Sequence, residues 1–147
     1  MVKLIIFDWK RTLYDPDKKV LMRDAKKLLE SIKTKCISMI LVGKGGADMQ
    51  KEVVRLGVWS YFKEVVFAEG EKNMEVFSSL VPQEPGESLF IGDRVRSELE
   101  VGKKLGSKTV WVRQGKFAGE SPENKYQEPD YAVSSLKDCI KLLKNIL

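Results

Sequence analysis

Leu4-Ile5-Ile6-Phe7-Asp8-Trp9-Lys10-Arg11-Thr12-Leu13 is the stretch that decides the predicted fold. Its first four residues form an uninterrupted apolar run that is too short for a helix and rich in strand formers. Such a run is typical of a strand that is covered on both faces, as in parallel sheets. Asp8 then places a carboxylate at the carboxyl end of the strand, which is the edge where open α/β sheets bind ligands. Taken alone, Asp8 could equally cap the strand or begin a turn.

Chain length and net charge limit the classes to which the protein can belong. The chain has 147 residues, which fits one domain spanning residues 1–147. Its formal net charge of +5 is compatible with nucleic acid, an acidic membrane surface or an anionic substrate as the partner. Nucleic acid is disfavoured, because the chain has no run of five basic residues and no basic face interleaved with aromatic residues.

Residue types narrow the chemistry and the compartment. Histidine is absent, which excludes His-based catalysis and His metal ligands and leaves chemistry to carboxylates, lysines and hydroxyls. Cys36 and Cys139 lie in apolar settings and are expected to be buried free thiols of a reducing compartment. No apolar segment approaches the length of a membrane span, and the N-terminus lacks the form of a signal peptide. We therefore expect a cytoplasmic protein with no membrane partner.

Strand and helix patterns alternate along the chain. Arg11–Met22 is predicted to form a tight hairpin, and apolar residues at helical spacing predict a helix in each later crossover and one at the end of the chain. Crossovers of this length allow parallel pairing. We predict an α/β fold, a doubly wound three-layer sandwich whose central parallel sheet has about five strands, with the first strand between the second and the fourth. The strands predicted after the first are Ile37–Val42, Glu64–Ala68, Ser88–Ile91 and Lys108–Val112, with Tyr131–Val133 as a candidate short edge strand.

Charged residues follow every predicted strand. In a parallel sheet these positions share one edge, so residues that are distant in sequence are expected to be neighbours in space. Carboxylates among cations and backbone N–H groups suit a divalent cation together with a phosphate, although charged residues also populate ordinary loops. In strand order, these residues are Asp8 and Lys10, Lys44, Lys72, Asp93 and Arg94, and Arg113 and Lys116.

Two motifs and a lysine carry a family resemblance. Leu4–Leu13 is an apolar strand followed by Asp8, Lys10 and Thr12, and Phe90-Ile91-Gly92-Asp93 is an apolar strand end followed by Glu98. In this order they resemble the first and fourth motifs of the haloacid-dehalogenase-like (HAD) superfamily, and Lys72 falls where that family keeps its phosphate-binding lysine. The resemblance covers essentially the whole chain and implies a HAD-like Rossmannoid hydrolase.

The resemblance implies a Mg²⁺-dependent phosphatase. Asp8 would attack the phosphate and form an aspartyl-phosphate, with Lys72 neutralising the phosphate and Lys10 as a third candidate catalytic residue. The expected Mg²⁺ ligands are Asp8, the backbone carbonyl of Lys10, Asp93 and Glu98, the last acting through water or by holding a direct ligand in place. Alternatively, Lys72 only faces solvent and Glu98 only favours the first turn of a helix. The expected phosphate-binding residues are Thr12, Gly43, Lys44 and Arg94.

Two departures from the family pattern bear on activity. The family's second aspartate, its general acid/base, is Lys10 here, and the hydroxyl residue that usually ends the second strand is Gly43. Loss of a general acid/base typically costs about 10²–10⁴-fold in rate. Lys10 could also pair with Asp8 or Asp93 and occupy the place of the metal.

The connections that carry a cap domain in larger relatives are too short here, so the resemblance implies a capless, open site for a phosphorylated small molecule or macromolecule. The long stretch Arg113–Asp130, or another subunit of a homo-oligomer, could supply a lid. Three functions remain: a slow phosphohydrolase, a degenerate HAD domain that binds a phosphorylated ligand or a protein without turnover, and a metal-free dehalogenase. The dehalogenase ranks last, because no halide-binding arginine or apolar cap is evident.

Overall fold

The computed structural model describes residues 1–70, 74–81, 84 and 86–147. In these residues the strands are β1 (Leu4–Phe7), β2 (Tyr14–Asp15), β3 (Val20–Leu21), β4 (Ser38–Lys44), β5 (Glu64–Ala68), β6 (Ser88–Gly92), β7 (Lys108–Val112) and β8 (Tyr131–Val133). The α-helices are α1 (Ala25–Lys33), α2 (Ala47–Arg55), α3 (Met74–Ser78), α4 (Glu98–Lys104) and α5 (Leu136–Ile146).

A parallel sheet forms the centre of the molecule. Within the described ranges it has six strands, in the order β5-β4-β1-β6-β7-β8. Ile5 of β1 pairs with Met39 of β4 on one side and with Leu89 of β6 on the other. The prediction that the first strand lies between the second and the fourth is therefore confirmed. The sixth strand is β8, which pairs in parallel with β7 at the edge.

Helices cover both faces of the sheet. Because side chains alternate along a strand, Ile5 and Phe7 contribute to one apolar cluster and Leu4 and Ile6 to the other. The first cluster also contains side chains of α1, α2 and α5, and the second contains side chains of α3 and α4. All four residues of β1 are buried, which explains why Leu4–Phe7 is apolar without interruption. The predicted doubly wound three-layer sandwich is confirmed.

The hairpin after β1 also forms as predicted. Strands β2 and β3 pair antiparallel, and the Asp15 carboxylate accepts hydrogen bonds from the backbone N–H groups of Asp17 and Lys18 at 2.9 and 3.2 Å. Such a side-chain bond stabilises a tight turn. Only residues 22–24 separate β3 from α1, and only residues 69–73 separate β5 from α3. Neither connection has room for an inserted domain.

The prediction for the two cysteines is half correct. Both are free thiols, and Cys139 is buried in the α5 face, where burial raises the pKa of its thiol to about 12. Cys36 is exposed, so the expectation that it is buried is wrong. Cys36 lies in the turn between α1 and β4, where its φ is +57°. Such connecting turns run over the protein surface. Across the described residues, no helix is long and apolar enough to cross a membrane.

Candidate active site

Three buried carboxylates meet at the carboxyl edge of the sheet. Asp8 follows β1, Asp93 follows the neighbouring β6, and Glu98 is the first residue of α4. Each offers a carboxylate oxygen, and these oxygens lie within 4.8 Å of one another. The backbone N–H of Asp8 donates to the carbonyl of Ile91 at 3.1 Å, so strand pairing continues past β1 and fixes the position of Asp8 relative to Asp93.

Local hydrogen bonds orient the carboxylates. The Thr12 hydroxyl donates to Oδ2 of Asp8 at 3.0 Å, and Thr12 is fully buried. Oε1 of Glu98 accepts from the backbone N–H groups of Asp93 and Arg94, at 3.2 Å each. The indole N–H of Trp111 donates to the carbonyl of Asp93 at 2.9 Å. Thr12 therefore acts on Asp8 itself, and Glu98 ties the β6–α4 turn together.

The donor set fits Mg²⁺. Carboxylate and carbonyl oxygens are the ligands that this ion prefers, and oxygens on opposite sides of it are about 4.2 Å apart. Asp8, Asp93 and Glu98 are 7%, 2% and 4% exposed. Buried carboxylates this close repel one another unless positive charge lies among them. The structure thus places Glu98, an expected ligand, beside the two aspartates.

A cavity of about 480 Å³ opens beside the three carboxylates. Among the cations predicted at this edge, Lys10, Lys44 and Arg94 line it, whereas Arg113 and Lys116 do not. Of the residues predicted at this edge, Arg113 and Lys116 therefore lie outside the lining of the cavity. Arg113 instead lies over the Trp111 ring, with its guanidinium 4.7 Å from the ring centroid. Lys72 lies outside the described residues.

Lys10 borders the cavity without pairing to the aspartates. It is half-buried, and it forms no ion pair within 4.0 Å with any residue in the described ranges. A lysine that displaces the metal by direct pairing with Asp8 or Asp93 is therefore not seen. Its ammonium can therefore bind an anion within the cavity.

Gly43 is closed in by aromatic side chains. A Cβ at this position would clash with the ring of Phe67 and would lie 2.9 Å from Cβ of Trp9. Trp9 is buried, stacks on Tyr14 at 5.0 Å between ring centroids and meets Phe67 edge-on at 6.5 Å. The missing hydroxyl at the end of β4 is thus a consequence of packing, since any side chain there would have to displace the Phe67 ring.

Glu52 of α2 supports this aromatic cluster from outside. The Tyr14 hydroxyl donates to Glu52 at 3.0 Å, and the Arg55 guanidinium donates to the same carboxylate. Hydrogen bonding from Arg55, followed by that from Tyr14, lowers the pKa of Glu52. Burial, with the bond to Glu52, raises the pKa of Tyr14. Tyr14, the first residue of β2, is thereby tied to α2 through its hydroxyl.

Residues 113–130, which lack a regular apolar pattern, contribute side chains that border the site. Arg94 donates from Nε and Nη2 to Glu120 at 3.1 and 3.0 Å, and its guanidinium lies 4.0 Å from the centroid of the Phe117 ring. The Gln114 side chain donates to the carbonyls of Arg11 and Thr12, at 3.2 Å each. Sequence reasoning missed Gln114, Phe117 and Glu120, because nothing periodic in this segment indicates which side chains turn inward.

The amino-acid sequence is similar to those of known hydrolases. Residues 69–139 match the HAD-hydrolase-like family model. The chain is 28% identical over 128 residues to a glyceraldehyde 3-phosphate phosphatase of Pyrococcus furiosus, which covers 82% of this chain and 53% of that protein. It spans about half the length of the curated relatives it matches.

Solved structures share the fold. An uncharacterized protein from Listeria monocytogenes serotype 4b superposes with a TM-score of 0.80 at 16% identity, over 99% of this chain and 98% of that one. The putative HAD-hydrolase YfnB from Bacillus subtilis, bound to magnesium, superposes with a TM-score of 0.70 at 21% identity, over 85% of this chain and 57% of that one. The chain thus shares the fold of these solved structures, and its residues 69–139 are similar to the HAD-hydrolase-like family.

Proposed function

We propose that the chain is a Mg²⁺-dependent phosphohydrolase that uses Asp8 as its nucleophile. The observation that carries this proposal is the meeting of three buried carboxylates beside a cavity of about 480 Å³ that six cationic side chains line. A phosphate monoester carries about two negative charges at neutral pH and is attracted to such a cavity. The relatives named as phosphatases support this reaction class.

Asp8 is suited to act as the nucleophile. Its carboxylate is held by the Thr12 hydroxyl and its backbone by Ile91, so its direction is fixed before a substrate binds. In the first step, an oxygen of Asp8 attacks phosphorus, the ester P–O bond breaks and the leaving oxygen takes a proton from solvent water, which is balanced by the proton that the attacking water releases in the second step. In the second step, water attacks phosphorus and the bond to Asp8 breaks, which releases inorganic phosphate.

The remaining acidic groups hold the cation. Asp8, the carbonyl of Lys10, Asp93 and Glu98 would bind Mg²⁺, which when bound neutralises charge on the phosphoryl oxygens. Asp93 is 2% exposed and is held through its own carbonyl by Trp111, so it is better placed as a ligand than as an attacking group. Gly43 and Arg94 remain the proposed binding residues of the reacting phosphate, together with Lys72. Thr12 is proposed to act through Asp8, to which its hydroxyl donates. The exposed Lys44 also lines the cavity and is proposed to bind an anionic group of the substrate there.

Lys10 makes slow turnover the expected behaviour. Its ammonium can attract the phosphate or stabilise the departing alkoxide. An ammonium group is a weaker general acid than the carboxyl group that the family resemblance places at this position. The same residue, with the closed-in Gly43, favours the second candidate function, a HAD domain that binds a phosphorylated ligand without turnover.

Hydrolysis of an aryl phosphate across a Mg²⁺ titration tests the proposal. We expect turnover that needs Mg²⁺, is abolished by a chelator and is lost in Asp8→Asn. Asp17→Asn is the matched control, because it removes an exposed carboxylate at the hairpin. Asp8→Asn should unfold at the same temperature as the wild type or higher, since it relieves repulsion among the carboxylates.

Two results would contradict the proposal. Full activity in Asp8→Asn would exclude Asp8 as the nucleophile. Binding of Mg²⁺ and phosphate, measured by calorimetry, without turnover of any phosphorylated compound would favour the non-catalytic alternative.

A further inference from the structure

We propose that Arg11 and Lys44 form a second anion subsite, which selects phosphate monoesters whose alcohol part carries another anionic group, a carboxylate or a phosphate. The inference rests on the proposed function, because it assumes that the reacting phosphate lies at Asp8. It concerns the part of the cavity that receives the rest of the substrate.

The cations of the cavity fall into two sets. On the side of α4, each cation has a carboxylate partner: Arg94 pairs with Glu120 at 3.0 Å, Arg96 with Glu123 at 3.4 Å, and Lys104 with Glu100 at 3.4 Å. On the side of β1 and β4, Lys10, Arg11 and Lys44 have no carboxylate within 4.0 Å among the residues that the structure describes. Within the described ranges, the cations without a carboxylate partner therefore lie on the side of β1 and β4.

Arg11 occupies a backbone position that favours glycine. Its φ is +66°, in the left-handed region, which costs a residue with a Cβ roughly 1 kcal/mol relative to glycine. The conformation is held at both ends of the residue, since its N–H donates to the carbonyl of Tyr14 at 2.7 Å and its carbonyl accepts from Gln114 at 3.2 Å. A strained arginine that lines a cavity is expected where its side chain has a function.

The guanidinium of Arg11 is positioned to receive an anion. It lies 5.5 Å from the centroid of the Phe117 ring, and its side chain makes no hydrogen bond to a described residue. Phe117 also packs on Arg94 at 4.0 Å, so the ring limits the movement of Arg11 without neutralising its charge. Guanidinium groups bind carboxylate and phosphate through two parallel hydrogen bonds.

The reacting phosphate does not account for all of this charge. Lys10 is two residues from Asp8 in the same loop, and we assign it to the reacting phosphate. Arg11 and the exposed Lys44 then remain for a second group, and a cavity of about 480 Å³ has room for a small organic molecule beyond the phosphate.

A matched pair of probes tests the subsite. Glycerol 3-phosphate and 3-phosphoglycerate share a carbon skeleton and differ in a hydroxymethyl group or a carboxylate at the far end. We expect kcat/KM to be about tenfold higher for 3-phosphoglycerate, as a charge-assisted hydrogen bond would give. The ratio should fall toward one in Arg11→Gly and should fall in part in Lys44→Gln.

Arg11→Gly also controls for folding, because glycine relieves the strain at φ +66° and the variant should be no less stable than the wild type. Lys116→Gln is the matched control. Lys116 is exposed and lies beside Phe117 at 5.5 Å, but it does not line the cavity, so the ratio should stay at its wild-type value. Arg11→Lys should restore part of the preference, because it returns the charge without the fork of donors.

Affinity measured in the Asp8→Asn background separates this inference from the proposed function. If 3-phosphoglycerate binds about tenfold more tightly than glycerol 3-phosphate there and Arg11→Gly abolishes the difference, the subsite is supported even when no turnover occurs. Equal affinities, or a preference that Arg11→Gly leaves unchanged, would overturn it, whatever the hydrolytic activity.

Discussion

The hydroxyl of Thr12, a fully buried residue, donates a hydrogen bond to Oδ2 of Asp8 at 3.0 Å. The bond joins the loop after β1 to Asp8, the residue whose backbone N–H makes the last hydrogen bond between β1 and β6. It fixes the plane of the carboxylate on which the proposed chemistry depends, so the loop and the nucleophile form one unit.

Thr12→Val should lower kcat for an aryl phosphate about tenfold while KM changes little, because the substitution keeps the volume and removes the hydrogen bond. Thr12→Ser should retain most of the activity. If KM rises and kcat is unchanged, the hydroxyl binds the phosphate directly instead of positioning Asp8.

Lys10→Asp introduces the acid that the family resemblance implies two residues after Asp8, the proposed nucleophile. It should tighten Mg²⁺ binding and raise turnover about tenfold or more, because a carboxyl group adds negative charge for the cation and a better proton donor. Calorimetric Mg²⁺ titration and aryl phosphate hydrolysis measure the two effects. Equal or lower activity in a folded variant would show that Lys10 serves another chemistry.

Gly43→Ser should destabilise the fold by about 1–3 kcal/mol, because the new side chain would displace the Phe67 ring. Chemical denaturation measures the effect. In a Phe67→Ala background the same substitution should cost less, and Trp9, whose Cβ is 2.9 Å from the new atom, accounts for what remains. Equal costs in both backgrounds would contradict the packing explanation for the missing hydroxyl.

Glu52 makes the stability of the fold depend on pH in the acid range. Arg55 lowers the pKa of Glu52 in the folded chain from its ordinary value of 4.5, so the ionised carboxylate stabilises the fold at higher pH. This contribution is lost as the pH falls below about 4.5 and through the lowered pKa. Glu52→Gln should therefore unfold at a lower temperature than the wild type at pH 7, and the difference should shrink under acid conditions. A difference that is constant with pH would exclude this linkage.

The fold was predictable because its signals are local. Leu4–Phe7 and the other apolar runs have the length and composition of buried parallel strands, and the topology then brings Asp8 and Asp93 to one edge. The closure of Gly43 by Phe67, the left-handed backbone of Arg11 and the inward turn of Phe117 were not predictable, since each depends on contacts between segments that are distant in sequence. Cys36 was misplaced for a related reason, because an apolar neighbourhood does not reveal a surface turn.

The most direct test of the central claim is to trap the phosphoryl group on Asp8. The wild-type chain would be mixed with an aryl phosphate and Mg²⁺, quenched in acid during turnover, and its peptides analysed by mass spectrometry. We predict that the peptide containing Asp8 gains the mass of one phosphoryl group, and that no such peptide forms in Asp8→Asn or with a chelator present. Sustained turnover with the phosphoryl group on another residue, or with none on the protein, would contradict the account.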